Sequence, residues 1–231
     1  MNEKFNNELR QIDGTLPEGH VYRLGMPEEA LLASGLGNLP IELNADHLQR
    51  KSSQENHEFS LSDVKNLPEA LANPIAIFDS TKKDGTTVIL TELKKDNDNF
   101  VVAVRVWKEQ AKRINRVEIN SIRSLYPKDN ATGIFDWINS KYNLLRWVDK
   151  KKAIDYIQTQ STNLIAGRDK TNGLRAAKIV QEFENPKNPK KKIRDGKEDI
   201  DESDRVGMQT VSNIHQNLKT CRKRYRILSR Y

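Results

Sequence analysis

PIAIFDS (74–80), TTVILTEL (86–93), FVVAVRVW (100–107) and RVEINSIRSLY (116–126) decide the fold of this 231-residue chain. β-Branched and aromatic residues crowd the first three runs, and such side chains suit a pleated, packed surface. Polar turns part them, KKDG at 82–85 and KKDNDN at 94–99. Short links between consecutive strands favour an antiparallel meander, with the second and third runs as a hairpin. In the fourth run Val117, Ile119 and Ile122 are expected to face a core. Alternation puts Asn120, Ile122 and Ser124 on one face, and Ser121, Arg123 and Leu125 on the other. Ile122 interrupts an otherwise polar face, and a bulge would reorganise the strand there.

Helices are expected on either side of this block. Pro27 suits a first helical turn, Glu28 and Glu29 favour its positive end, and Gly35 and Gly37 stop it. Asn44 is placed to cap a helix through ADHLQRK (45–51). Residues 60–72 read as one or two helical turns, because Pro68 must begin a new turn or break the old one. After the strands, Asn130 or Thr132 caps GIFDWINSKY, with Ile134, Phe135 and Ile138 on one face. A last helix, DKKKAIDYIQTQ, groups Ala153, Tyr156 and Ile157. The expected class is α+β: N-terminal helices, a four-stranded mainly antiparallel sheet, C-terminal helices, then a basic, partly disordered tail.

Composition sets the boundaries. Residues 1–19 are polar, with Gly14, Pro17 and Gly19 close together, and read as a leader or linker. Residues 20–160 are expected to form the α+β domain, residues 161–185 a helix or linker, and 186–231 a basic extension. That extension is expected to be partly disordered, with a C-terminal helix carrying Val211, Ile214 and Leu218. The net charge of +7 sits wholly within it. Residues 1–185 carry 26 basic and 26 acidic residues, whereas 186–231 carry 13 and 6. Such asymmetry points to an arm that meets a polyanion.

Several classes are excluded. No apolar run approaches the ~20 residues that span a bilayer, so no membrane partner is expected. The N-terminus, MNEKFNNELRQ, lacks a signal-peptide core. A single cysteine, Cys221, cannot form an internal disulfide. No Cys/His spacing suggests zinc, and neither metal nor cofactor is expected.

The run from Tyr22 to Tyr156 resembles the phage MuF C-terminal domain family. The stretches that carry the resemblance are LGMPEEALLASGLGNLPIEL, HLQRKSSQENHEF, VKNLPEALANPIAIFDS, VVAVRV, INSIRSLY and LLRWVDKKKA. That family is grouped with phage-encoded toxins of the barnase–EndoU–colicin–RelE-like nuclease class. The resemblance implies a nuclease-like α+β fold in a phage or mobile-element setting. Members are tethered to a phage head protein or carried as effector domains. With no long head-protein module ahead of it, this chain is expected to be a free-standing version. The basic tail departs from the family pattern.

Metal-independent RNA cleavage needs a base for the 2′-hydroxyl, an acid for the departing 5′-oxygen and a cation for the phosphorane. Histidine suits the first two roles near neutral pH, and lysine or arginine the third. His57, in the polar stretch SSQENHEF, is the first candidate, against the bland reading of a solvated loop histidine. Lys51, Arg123, Ser124 and Tyr126 complete the catalytic set. Lys51 would also be explained as a cation at a helix C-terminus. His47, one turn earlier, Ser80 at the end of the first strand, and Lys128 are assigned to nucleic-acid binding, with Arg222, Lys223, Arg224 and Arg226 of the tail. His47 is more blandly a helix-surface histidine, and Ser80 a turn residue unless the strand ends converge. The expected activity is a metal-independent ribonuclease of toxin or effector type. The alternatives are a non-catalytic nucleic-acid-binding module and a phage structural or assembly protein. The partners expected are RNA, an immunity protein and phage head or portal proteins, and the setting is a bacterial host cytoplasm or a phage particle.

Overall fold

In the computed structural model the described residues are 1–10, 19–55, 58–81, 85–108, 118–128, 131–162 and 167–187. The chain divides into two units, Met1–Asn188 and Pro189–Tyr231. The second unit, and with it the expected partial disorder and C-terminal helix, lies outside the described residues.

The elements of the first unit run α1 (Asn2–Leu9), β1 (Val21–Gly25), α2 (Glu29–Ala33), β2 (Ile41–Asn44), α3 (Ala45–Ser52), a 3-10 turn (Leu61–Val64) and α4 (Leu67–Ala72). There follow β3 (Ala76–Asp79), β4 (Thr86–Lys95), β5 (Asp98–Lys108), β6 (Glu118–Pro127), α5 (Ala131–Ile138), β7 (Leu145–Val148), α6 (Lys150–Thr162) and α7 (Gly167–Glu182). The α+β class holds, but among the described residues the sheet has seven strands rather than four, in the order β1-β2-β6-β5-β4-β3-β7. The four expected strands are its centre, β3 to β6. The three additions, β1, β2 and β7, are short and lie towards or at the edges. Five pairings are antiparallel, and β2 joins β6 in parallel through Ile41↔Asn120 and Glu42↔Ser121.

Helices cover both faces, and this explains the near-continuous apolar runs in the centre. Ile77, Ile89, Phe100, Val102 and Val104 point into one core with Phe5, Leu31, Leu48 and Leu71 of α1 to α4. Phe78, Val88, Leu90 and Val101 point into the other with Phe135, Tyr156 and Val180 of α5 to α7. A strand buried on both sides has no polar face left to alternate.

Residues 2–9, expected to belong to a leader or linker, form α1, with Phe5 and Leu9 buried. Eight residues are too few to hold a helix alone. Packing against Tyr22, whose ring meets Phe5 edge-on at 5.3 Å, supplies the stability. Two asparagines one turn apart add bonds to α4. Asn66, its N-cap, sits at φ 62 and makes no capping bond of its own. Instead Asn6 Oδ1 accepts from Asn66 N at 2.9 Å and Asn2 Oδ1 accepts from Glu69 N at 3.0 Å. The first turn of α4 is thus capped from a segment some sixty positions earlier in the chain.

On α6, Lys150 donates to Gln181 O near the end of α7, and Lys152 to Asn73 O at the end of α4. These lysines serve helix C-termini, where positive charge is favoured.

Candidate nucleic-acid interface

Asn44 caps α3 as the sequence requires, accepting from His47 N at 2.9 Å. The cap turns the chain out of β2 after two parallel pairs with β6, so α3 takes over where β2 leaves off. Ala45 and Leu48 pack into the core shared by α1 to α4. His47 reaches β6 itself: its Nε2 donates to the Arg123 carbonyl at 3.0 Å. Its Nδ1 accepts from Arg50 Nη2 at 2.8 Å. An acceptor at Nδ1 and a donor at Nε2 fix one tautomer of a neutral ring. Burial, opposed by the bond to Arg123 and reinforced by the charges of Arg50, Lys51 and Arg123, holds its pKa below the ordinary value.

The meeting point on β6 is a bulge. Ala103 faces Ser124 and Val104 faces Ile122, which leaves Arg123 as the extra residue. The bulge corrects the strict alternation expected for this strand. Leu125 joins Ile122 in one core, while Ser124 and Tyr126, opposite Ala103 and Val101, share the other face, where Tyr126 packs. Asn120 is likewise not part of a polar surface. It is fully buried, and its Nδ2 donates to Gly37 O at 2.8 Å and Leu39 O at 2.7 Å, pinning the turn ahead of β2.

The candidate residues therefore separate into groups. His47, Lys51 and Arg123 come together, and Lys51 Nζ donates to Gln54 Oε1 at 2.9 Å. Ser124 and Tyr126 lie across the sheet from α3. Lys128 sits at the hairpin end, its backbone N donating to Asn99 O at 2.9 Å. Ser80 N donates to Thr86 O at 3.0 Å, beside the ion pair of Asp79 and Arg146. Two strands, β4 and β5, lie between β3 and β6. At ~4.8 Å per strand, Ser80 and Ser124 stand roughly 14 Å apart across the sheet, too far to share one phosphate. His57 and the tail residues Arg222, Lys223, Arg224 and Arg226 lie outside the described residues. Arg50 is absent from the sequence-derived set. Its three-residue spacing from His47 on one helix is the signal that points to it.

Just past His57 in the chain, Phe59 packs edge-on against Phe100 at 5.2 Å. A cleft of about 430 Å³ opens there, lined by Ser52, Ser53, Glu58, Phe59, Ser60, Asp63 and Lys95. Two carboxylates against one ammonium give it the wrong sign for a phosphate. The α3–β6 junction, with Arg50, Lys51 and Arg123, has the right one. Among the described residues no cluster of His, Cys, Asp and Glu could hold a metal ion, and no helix is long and apolar enough to cross a membrane.

Residues 48–155 match the phage MuF-C-terminal domain family. No curated protein and no solved structure matches the chain. The matched segment runs from α3 into α6 and holds β3 to β7. The strands β1 and β2 lie outside it.

Proposed function

From a chain that carries a phage MuF-C-terminal domain, we propose a metal-independent ribonuclease of toxin or effector type, cleaving RNA by 2′-hydroxyl attack. The observation that carries this reading is the α3–β6 junction, where Lys51 and Arg123 gather with Arg50 around His47. Such a cluster matches the charge of an RNA backbone and of a phosphorane. His57, six residues beyond Lys51, is the group assigned to move the proton. His47 is unsuited to that role, because both its ring nitrogens are engaged. Ser124 and Tyr126 belong to the opposite face, so the proposed reaction draws on His57, Lys51 and Arg123. RNA is the proposed substrate, and an immunity protein the proposed partner in a bacterial cytoplasm.

The purified chain is expected to degrade RNA in EDTA, and His57→Ala to slow this by ~10²-fold or more, the usual contribution of a positioned acid or base. Wild-type protein that leaves RNA and tRNA intact sinks the reading. Binding without cleavage would mark a nucleic-acid-binding module instead. The phage family match favours a second reading, a structural or assembly protein of the phage particle. Incorporation into purified heads or portals in a stoichiometric amount would decide for it.

A further inference from the structure

We propose that the guanidiniums of Arg50 and Arg123, on a helix and a strand that His47 ties together, form a cradle for a phosphodiester of RNA. The inference rests on the RNA-directed reading and adds Arg50 to its site. It starts from geometry. Arg50 donates to His47 Nδ1 at 2.8 Å, and His47 Nε2 donates to the Arg123 carbonyl at 3.0 Å. One ring thus ties a helix side chain to a strand backbone seventy-six positions away. The bulge matters as much as the bond. Arg123 is the extra residue in the register with β5, and such a residue has its side chain re-aimed relative to the ladder.

Charge gives the second argument. Arg50, Lys51 and Arg123 all lie close enough to His47 to disfavour its protonation. Protonation would also abolish the acceptor that Arg50 uses. The ring therefore holds Arg50 to the strand that carries Arg123 and is not a fourth cation. Among the described residues neither Arg50 nor Lys51 forms an ion pair with a carboxylate. Asp46, one turn before Arg50 on the same helix, makes none either. Gathered like charges are stabilised by an anion, and the planar guanidinium fork suits phosphate oxygens better than an ammonium does. His47 is a positioning residue in this account.

The test is anisotropy of a labelled single-stranded 2′-O-methyl RNA oligonucleotide, which lacks the attacking hydroxyl but keeps its phosphates, with the full chain titrated across salt. For a single strand, each phosphate that the protein no longer neutralises flattens the plot of log K against log salt by about 0.7. Arg50→Met and Arg123→Met are each expected to flatten it by that amount and to weaken binding. His47→Leu should weaken binding too, while His47→Gln, whose amide can accept from Arg50 and donate to Arg123, restores it. The tail contributes equally to every variant and drops out of the difference. Slopes unchanged in both methionine variants overturn the cradle, as does a wild-type chain that binds no RNA at low salt. Should a methionine variant fail to fold, Arg50→Lys and Arg123→Lys keep the charge. They are expected to hold the slope and lose affinity, and unaltered affinity in both overturns the proposal. Flattened slopes without cleavage leave the cradle standing and remove the ribonuclease. Cleavage with unchanged slopes does the reverse.

Discussion

The centre of the sheet and its N-terminal wing share one apolar core, but the wing leans more heavily on directional bonds. In the centre, β5 and β6 pair from Phe100↔Pro127 to Lys108↔Glu118, and helices bury both faces. The wing, α1 through β2, meets the centre strands through Ile41↔Asn120 and Glu42↔Ser121. Phe5, Tyr22, Leu31 and Leu43 enter the core that one face of the centre lines, and particular bonds add to this attachment: Asn2 and Asn6 to α4, and Asn120 to the turn ahead of β2. Apolar burial is non-directional and shared among many neighbours, whereas a cap or an amide clamp depends on one atom. Removal of a single wing bond should therefore loosen the wing alone, and removal of a central ring should lower the stability of the whole. The family match covers the centre and omits the wing.

The largest expected effect is at Phe100, fully buried beneath Phe59. Phe100→Ala should cost ~3–5 kcal/mol, read from urea unfolding, because the double-sided core cannot collapse into the gap. Phe5→Ala should cost less, about 3 kcal/mol at most, since α1 lies at the edge of the fold and can shift or fray. Hydrogen exchange should then quicken in α1 and β1 while β5 keeps its protection. Equal losses of protection in both strands would show that the wing and centre unfold as one unit, and the contrast would fail.

Asn6→Ala and Asn2→Ala sharpen the same contrast on a smaller scale. Each removes an acceptor for a first-turn N–H of α4, and loss of a cap costs ~1 kcal/mol. The urea midpoint should fall accordingly, and the α4 amides of Asn66 and Glu69 should exchange faster. A midpoint unmoved by either change would mean that water replaces both amides without loss.

How much of this could be read in the chain follows from the same division. PIAIFDS, TTVILTEL and FVVAVRVW are strands on composition alone, because both their faces are buried. Asn44 and Pro68 announce their helices through local chemistry. VYRLG and IELN are too short to show a period, and each becomes a strand through a distant partner. LRWV is likewise short, and becomes β7 by pairing with β3. The helix 2–9 is hidden by its polarity, since Phe5 and Leu9 are its sole large apolar residues. Of the candidate site, the residue types and two of the segments were legible, α3 and β6. The bulge at Arg123 decides which side chains share a face, and it is set by pairing with β5 rather than by the strand's own residues.

The smallest effect sits within the wing, at Tyr22 of β1. Its ring is buried and its hydroxyl has no partner among the described residues. Burial, with Glu8 nearby, pushes its pKa up to about 12. In the unfolded chain a phenol titrates near ~10, so between the two values the unfolded state has lost a proton that the folded state keeps. The stability tied to this phenol is full below ~10 and is lost as pH rises towards 12. Tyr22→Phe removes an unsatisfied hydroxyl, so at pH ~8 the change should lie within ~0.5 kcal/mol of wild type or be slightly stabilising. At pH ~11 the variant should be clearly the more stable of the two, by urea midpoint, because it lacks that alkaline loss. Tyr156, also raised by burial and by Asp98, is present in both proteins and leaves their difference untouched. If wild type and variant decline in parallel from pH ~8 to ~11, the phenol must meet water in the folded chain. The wing would then open far below global unfolding, and the clamps of Asn2 and Asn6 would be too weak to close it.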